Sequence, residues 1–554
     1  MPDKPAQIDL EDQNIIDNKE LNLLEALIPV IILMGMLAYN IFFVESQEWF
    51  GAYTNQIILL LGGAVAAGVG FFNKTTLKTM LTEVWENLKT VFVPVLILFL
   101  VGALAGTWLV SGVIPAMVYY GLQVLSPAIF LPASVIIAAI ISIATGSSWT
   151  TSATVGIALV GIGTALGINP GMIAGAVISG AYFGDKMSPL SDTTNLAPAM
   201  AGTDLFTHIK YMAITTVPTL IITLIFFGIL SANIDTAGNS DTGFILDTID
   251  NYFNITPWLF LVPVAVVGLI LLKTKPLVAL VSGVVLAIVF AFIFQPKLIN
   301  SITDSPVNTI TTSVLTDINI TISEDKYLTA LSKADIERIN NDENRLENLF
   351  SDDDLKGIYT KDDLKKFFAA TYTQPEIIKT KVDNLDKLIT IKRLKKLFSS
   401  TGMNGMLWTI YLILCAMIFG GIMDGIGALA RITKALLSIA TSVFGLFAST
   451  VASCLGLNIV ASDQYLAIVI PGKMFKQAFH DKGLAPENLS RTLEDSGTVT
   501  SVLIPWNTCG AYQSGVLGVG VGEYFIYAIF NWLSPITTLI FAALNLKIKM
   551  LKDK

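Results

Sequence analysis

Five acidic residues lie within or beside long apolar stretches, where charged side chains are rare. A carboxylate in the middle of a lipid bilayer costs about 2.5–3.5 kcal/mol on insertion scales, so it usually has a partner and a function. Burial and mutual repulsion both favour the protonated form of a carboxyl group, so a proton can compete there with a bound cation. The predicted site for a cation and protons comprises Asp185, Asp192, Asp463, Glu494 and Asp495.

Neutral side chains with oxygen atoms accompany these acids where the apolar runs are broken. The breaks lie at residues 145–148, 184–195 and 457–463, and at the paired segments 494–497 and 505–508. Sodium, a hard cation, suits oxygen ligands from carboxylates, hydroxyls, amides and free carbonyls. The supporting ligands predicted at the breaks are Ser147, Ser188, Thr193, Asn195, Asn458, Thr498 and Asn507. The metal ligands predicted among all these residues are Asp192, Asp463, Asn195 and Asn507.

Structural roles offer a second interpretation of some of the same residues. Asp185 and Asp463 are also candidates for the N-caps of half-helices, because Asp is a favoured N-cap residue. Lys186 is the predicted charge partner, and an ion pair with Asp185 or Asp192 would be either a structural feature or a proton-releasing group. His480 lies in a basic turn and is a candidate pH sensor, although surface histidines without such a role are more common.

The composition places the chain in a lipid bilayer. It is 53% hydrophobic and 14% charged, whereas soluble domains average roughly 25% charged residues. Apolar runs of about 20 residues, long enough to cross a hydrocarbon core of about 30 Å, recur along the sequence. The net charge of −8 argues against a nucleic-acid partner. No cleavable signal, cofactor or enzymatic constellation is expected, and sodium enters only as a transported ion.

An internal duplication organises the membrane part. A shift of 316 positions aligns residues 166–170 with 482–486, and the same shift pairs Ser147 with Asp463. Duplicated units with broken helices are typical of transporters, whose sites lie near the middle of the bilayer. The duplication therefore predicts that broken elements of both halves meet at one site. Other residues in this register are Pro189 with Pro505, Gly202 with Gly518 and Tyr211 with Tyr527.

Loop charges favour an inverted second copy. The first loop carries Glu45 and Glu48, whereas its counterpart carries Lys273 and Lys275. The positive-inside rule then places matching loops on opposite sides of the membrane. The predicted fold is an all-α polytopic membrane protein with two inverted structural repeats and cytoplasmic termini. Each repeat would have about five transmembrane helices, a re-entrant hairpin and an interrupted helix.

A polar segment interrupts the second copy, and we expect it to form a soluble, helical insertion outside the membrane. Ser332–Asp335 and Thr360–Asp363 have capping-box-like spacing. The acidic run 352–354 lacks the pattern of an EF-hand and is interpreted as a solvated helix start. The predicted segments are a polar cytoplasmic N-terminus (1–23), the first repeat (24–230), an extracytoplasmic linker (231–255), the start of the second repeat (256–296), the insertion (297–401), the remainder of the second repeat (402–546) and a basic cytoplasmic tail (547–554).

The motifs at the breaks resemble those of the NhaC family of bacterial sodium/proton antiporters, within the ion transporter superfamily. The likeness rests on residues 145–149, 184–197, 494–498 and 505–510 and leaves 297–401 outside. It implies exchange of Na+ for H+ across the bacterial inner membrane. Apart from the resemblance, a homodimer is one candidate assembly. Some members similar to this group exchange malate and lactate, so a sodium- and proton-coupled organic acid exchanger is the alternative. The scarcity of basic residues near the site, with Lys186 and Arg491 as the nearest candidates, favours a bare cation.

Overall fold

Long apolar runs fold into helices because a helix satisfies its backbone hydrogen bonds within one segment, which lipid requires. The computed structural model describes residues 21–44, 48–233, 242–272, 274–322, 327, 331–332, 335 and 361–551. The features predicted at Glu45, Lys273, the 352–354 run and Thr360 lie outside the described residues, as do residues 1–20 and 552–554.

The first half contains eleven α-helices among the described residues. A π-helical turn, Ser152–Gly156, joins the seventh helix to the eighth. The helices are α1 (Leu23–Phe43), α2 (Thr54–Phe72), α3 (Leu77–Thr90), α4 (Phe92–Val110), α5 (Val113–Val124), α6 (Pro127–Thr145), α7 (Ser148–Thr151), α8 (Ile157–Ala165), α9 (Pro170–Met187), α10 (Asp192–Ala201) and α11 (Leu205–Ala232).

The second half has the same kinds of element, with short strands and further helices in the segment predicted as an insertion. Its described helices are α12 (Thr242–Tyr252), α13 (Leu261–Leu271), α14 (Pro276–Phe294), α15 (Pro296–Ile302), α16 (Pro306–Leu315), α17 (Lys361–Ala369), α18 (Pro375–Leu397), α19 (Leu407–Gly425), α20 (Ala428–Ser438), α21 (Val443–Val460), α22 (Gln464–Asp481), α23 (Pro486–Leu493), α24 (Thr508–Leu517), α25 (Val521–Tyr524) and α26 (Ile529–Ala543). Strand β1 (Ile318–Asn319) pairs antiparallel with β2 (Ser399–Ser400).

Among the described residues, eight helices are long and apolar enough to cross a membrane. The number rises to ten if each of two bent pairs is a single span, namely α12 with the segment Pro257–Leu271 and Val521–Tyr527 with α26. This confirms the predicted all-α polytopic fold. The protein is a multi-pass membrane protein.

Residues with left-handed backbone end or begin helices at matching places in the two halves. Ser462 adopts φ +60° although it is not a glycine, and it occupies the place that Gly146 has in the first half. The four matching pairs are separated by 315 positions in the first case and 316 in the others, which agrees with the shift found in the sequence. That the two copies are inverted across the membrane stays a prediction. The pairs are Gly112 and Gly427, Gly146 and Ser462, Gly167 and Gly483, and Gly202 and Gly518.

The two halves pack into each other. Helix α4 of the first half packs on α14 and α16 of the second, and α19 of the second packs on α2 and α3 of the first. A Cβ on Gly106 would lie 1.7 Å from the carbonyl oxygen of Ser313, and a Cβ on Gly421 would lie 2.6 Å from Cα of Val84. Only glycine permits such close approach of backbones, as is common between membrane helices. Helix α16 therefore joins the membrane core, although it lies beyond the predicted boundary at residue 296.

The predicted insertion contains its own apolar cluster, which includes Phe368 and Leu385. Beside it, the predicted capping box is present: the backbone N–H of Asp335 donates to Oγ of Ser332 at 3.2 Å, and the backbone N–H of Ser332 donates to Oδ2 of Asp335 at 2.9 Å. Lys381 forms an ion pair with the same carboxylate at 2.5 Å, and the Tyr372 hydroxyl donates to it at 2.8 Å. One buried carboxylate thus connects Ser332 and Asp335 to α18.

We predict that Asp335→Asn loosens α18. Burial acts to raise the pKa of Asp335, but hydrogen bonds from Lys381, Ser332 and Tyr372 outweigh it and lower the pKa from 3.8 to about 2. Losing this carboxylate should cost about 1–3 kcal/mol at neutral pH. Hydrogen exchange of Pro375–Leu397 in the full-length protein, corrected for intrinsic rates, should therefore speed up.

The difference between wild type and variant should be complete above about pH 4 and shrink as the pH falls toward 2, because a depressed pKa stabilises only while the carboxylate is ionised. The matched control is Asp317→Asn, which removes an exposed carboxylate near β1. Equal exchange in wild type and Asp335→Asn at pH 7 would contradict the prediction.

Candidate functional site

The first break in the first half holds a carboxylate against the start of a helical segment. Gly146 ends α6 in a left-handed conformation, and Ser147 caps α7 by accepting a hydrogen bond from the N–H of Thr150 at 3.2 Å. Asp185, near the end of α9, accepts hydrogen bonds from the backbone N–H and the hydroxyl of Ser148 at 3.1 and 2.7 Å. Asp185 is 9% exposed. Asp185 lies inside α9, whose N-cap is Asn169, so the N-cap interpretation was wrong for this residue; its carboxylate instead joins α9 to the start of α7.

The matching break in the second half uses Asp463 in the place of Ser147, as the repeat predicts. Oδ1 of Asp463 accepts hydrogen bonds from the backbone N–H groups of Tyr465 and Leu466 at 2.8 and 3.1 Å. The capping interpretation is thus correct for Asp463, which is the N-cap of α22. Both of these hydrogen bonds end on one carboxylate oxygen, so capping leaves the charge of this 5% exposed group in place.

Glu494 opens a π-helical turn, Glu494–Thr498, that follows α23. Such turns widen a helix locally and are frequent at functional sites. The hydroxyl of Thr193, from the first half, donates to Oε1 of Glu494 at 3.0 Å. Oε2 is buried and accepts no well-aligned hydrogen bond from the described residues, although the hydroxyl of Thr498 lies close enough to interact with this carboxylate. Because an unpaired buried carboxylate oxygen is costly, this group favours a bound proton or cation.

Asp495, the next residue, forms an ion pair with Lys186, and both side chains are fully buried. Lys186 also donates to the hydroxyl of Ser534 at 2.9 Å. The hydroxyls of Thr215 and Thr538 donate to Asp495 as well. The structure therefore corrects one expectation: Lys186 pairs with an acid of the other half and not with Asp185 or Asp192. Of the predicted acids, Asp495 is the most completely satisfied.

Asp185 and Glu494, one acid of each half, lie within range of each other's charge, and Asp185 is also in range of Asp192. The hydroxyl group of Tyr465 is close enough to the carboxylates of Asp185, Asp192 and Asp463 to interact electrostatically with all three. Glu494 interacts in the same way with Asp185 and Lys186. Asp192, the first residue of α10, is exposed, although its neighbours in the chain are buried. The five sequence-predicted acids thus belong to one region, with Asp192 on its accessible side.

Most of the predicted neutral ligands hold the breaks in place. Asn458 donates to the carbonyl of Gly497 at 2.7 Å, and Asn507 donates to the carbonyl of Asn458 at 3.0 Å. Ser188 donates to the carbonyl of Ile143 at 2.8 Å, and Asn195 donates to that of Ser191 at 2.7 Å. These contacts satisfy carbonyls in and around the breaks.

Two predicted ligands differ from this pattern. Thr193 donates to Glu494, and the buried hydroxyl of Thr498 lies beside the same carboxylate without forming a well-aligned hydrogen bond to a described residue. Within the same residues, no group of three or more His, Cys, Asp or Glu side chains is arranged to hold a metal ion. The predicted metal set of Asp192, Asp463, Asn195 and Asn507 therefore stays a prediction.

Sequence reasoning missed a buried polar stripe along α11. His208 is fully buried, its Nδ1 lies 2.9 Å from Oγ of Ser490, and it is in range of the charges of Asp495 and Lys186. Arg491 is also fully buried and lies 4.6 Å from the ring of Tyr211. The sequence does contain a pattern that indicates this stripe, because polar residues recur every three to four positions on one face of an apolar helix. They are His208, Tyr211, Thr215 and Thr219.

Comparison with known proteins identifies the family. The sequence profile described as "Na+/H+ antiporter family" matches residues 180–329 and 380–546. A Na(+)/H(+) antiporter NhaC of Alkalihalophilus pseudofirmus is 33% identical over 482 residues, covering 87% of this chain and 88% of the relative. The chain belongs to the Na+/H+ antiporter family. This confirms the resemblance, and all five predicted acids lie inside the matched ranges.

Other members of the Na+/H+ antiporter family resemble the chain as well. A Na(+)/H(+) antiporter NhaC of Bacillus subtilis is 30% identical and covers 82% of this chain and 84% of its own. A malate-2H(+)/Na(+)-lactate antiporter of the same species is 30% identical and covers 92% of both chains. The family profile also includes residues 297–329 and 380–401, so the expectation that all of 297–401 lies outside the resemblance was wrong.

We predict that either single loss from the buried ion pair destabilises the protein. Lys186→Met leaves Asp495 without its counter-charge, and Asp495→Asn does the same to Lys186. Breaking one side of a buried pair costs about 3–5 kcal/mol, whereas removing both charges is far less costly. Thermal unfolding in detergent should show lower midpoints for both single variants and partial recovery in the double variant. Lys78→Met, at an exposed position, is the control, and midpoints equal to wild type in the single variants would contradict the pairing.

Proposed function

We propose that the protein exchanges Na+ for H+ across the bacterial inner membrane by alternating access. The observation that carries the proposal is Glu494, whose buried Oε2 accepts no well-aligned hydrogen bond within the described structure and has only the hydroxyl of Thr498 close by. A buried carboxylate in this condition binds a proton or a cation, because leaving its charge uncompensated costs several kcal/mol. Relatives named as Na(+)/H(+) antiporters support the same function.

Competition for the same oxygens couples the two ions. Sodium bound at Glu494 would replace the proton there, with the hydroxyls of Thr193 and Thr498 as neutral oxygen ligands. Asp185, Asp192 and Asp463 complete the acidic region, and Asp192 is its exposed member. Lys186 neutralises Asp495 next to this site, which limits the number of charges that the cation must balance. Because one binding region serves both ions, one enters only when the other leaves.

The orientation follows from the loop charges. The termini and the basic end of α22, with Lys473, Lys476 and the following Lys482, face the cytoplasm, and the linker 231–255 faces outward. The alternation of access arises from the two repeats moving relative to each other around the site. A homodimer is part of the proposal, and light scattering on the purified protein tests it.

An organic acid exchanger is the second candidate, because one relative is a malate-2H(+)/Na(+)-lactate antiporter. A carboxylate substrate requires a fixed cation that is free to bind it. Arg491 meets part of this requirement: it is fully buried, and its guanidinium has no hydrogen-bond partner among the described residues. Lys186 does not meet it, since Asp495 already occupies its ammonium.

We predict that sodium alone drives proton movement. In everted membrane vesicles that hold an imposed pH gradient, addition of a sodium salt should dissipate the gradient without malate or lactate. Acridine orange fluorescence measures this directly, and vesicles without the protein are the control. A response that requires either acid would transfer the assignment to the organic acid exchanger.

We predict that Asp463→Asn abolishes exchange and leaves the fold intact. Asn is as good an N-cap as Asp, so the hydrogen bonds from Tyr465 and Leu466 should persist while the charge is lost. The matched control is Asp204→Asn, which makes the same replacement at the exposed N-cap of α11. Sodium-dependent proton flux should vanish in the first variant and persist in the second. Wild-type flux in Asp463→Asn would exclude this residue from the site.

A further inference from the structure

A cavity of about 420 Å³ lies away from the acidic region, where α10, α22 and α23 come together. Its basic side is formed by α22, and its apolar side by residues of α22, of the turn after it, of α23 and of the chain end. None of the five predicted acids lines it. The lining residues on which the inference depends are Lys473, Lys476, His480, Phe479, Leu489 and Leu551.

The basic side chains lie on one face of a single helix. Lys473, Lys476 and His480 are spaced by three and four residues, which brings them one above another on α22. Neither lysine forms an ion pair with another described residue, and His480 makes only a 3.8 Å contact with Asp481. Asp424 is within range of the charge of Lys473. The cavity therefore offers two ammonium groups that form no ion pair within the described residues, of which Lys473 also interacts at longer range with Asp424.

The remaining wall is apolar. Phe479 and Leu489 are each 1% exposed and form part of the apolar cluster behind the cavity, whereas Leu551 is 36% exposed at its edge. A soluble inorganic anion would make no favourable contact with such an apolar wall. A basic pocket between membrane helices with an apolar side suits the headgroup of an anionic phospholipid, whose phosphodiester meets the lysines and whose glycerol and first methylenes meet the leucines.

The position of the cavity connects it to the acidic region. Helix α10 begins at Asp192 and ends at Gly202, which lines the cavity. Helix α22 starts from its cap at Asp463, and α23 leads directly into Glu494. The ammonium of Lys476 would lie 3.0 Å from a Cβ placed on Gly202, so α10 and α22 touch here. We propose that this cavity binds the phosphodiester headgroup of an anionic phospholipid and thereby fixes the relative positions of the three elements that carry Asp192, Asp463 and Glu494.

Binding is tested on the full-length protein in neutral detergent, independently of transport. Dihexanoyl-phosphatidylglycerol should raise the thermal unfolding midpoint saturably, and dihexanoyl-phosphatidylcholine should not. The double variant Lys473→Gln/Lys476→Gln should require about tenfold more phosphatidylglycerol for half the shift, from two lost cation–phosphate contacts. The control Lys78→Gln/Lys275→Gln removes two exposed positive charges elsewhere and should behave as wild type.

Three results would contradict the proposal. Equal shifts with phosphatidylcholine would show that only the apolar wall binds, and an equal shift with inorganic phosphate would make a soluble phosphate the ligand. An unchanged half-saturation in the double variant would place the lipid elsewhere. If that variant unfolds on purification, the single variants Lys473→Gln and Lys476→Gln give the same test. Each should cause a smaller increase in the phosphatidylglycerol concentration needed for half the midpoint shift. Because no arm measures ion flux, failure here leaves the exchange function unaffected.

Discussion

A carboxylate enclosed by protein within a bilayer must be paired, hydrogen-bonded, protonated or bound to a cation. The acids of this protein satisfy that constraint in different ways. Asp495 is paired with Lys186 and surrounded by hydroxyls, whereas Asp463 accepts backbone hydrogen bonds at a helix start. Glu494 is only half satisfied by Thr193. Asp495 therefore contributes mainly to the stability of the region, whereas Glu494 is the acid left to bind an ion.

The broken helices make this distribution possible. Each break frees backbone groups that lipid cannot satisfy, and the amides of Asn458 and Asn507 take over part of that task. Their hydrogen bonds hold the π-helical turn that presents Glu494 to Thr193. Two contacts at the site, Thr193–Glu494 and Lys186–Asp495, join the first half to the second. Movement of one half against the other would alter these contacts directly.

The sequence predicted what depends on short-range pattern. The acids, the breaks and the correspondence of Ser147 with Asp463 were all visible, because N-caps and left-handed turns have local signatures. The partner of Lys186 was not, since it is 309 residues away and the expectation rested on the nearby Asp185 and Asp192. The burial of His208 was missed because a lysine follows two positions later, and the packing of α16 on α4 has no local signal. The asparagines were read as ligands, since their chemistry suits sodium and backbone carbonyls equally.

If sodium and protons compete for the same buried carboxylates, adding sodium to the purified protein in weakly buffered detergent solution should release protons, which a pH-sensitive dye detects. Sodium should then give a saturable acidification, choline none, and Glu494→Gln a reduced or absent signal. Saturable sodium binding by the wild-type protein without any proton release, across the range from pH 6 to pH 9, would contradict this competition.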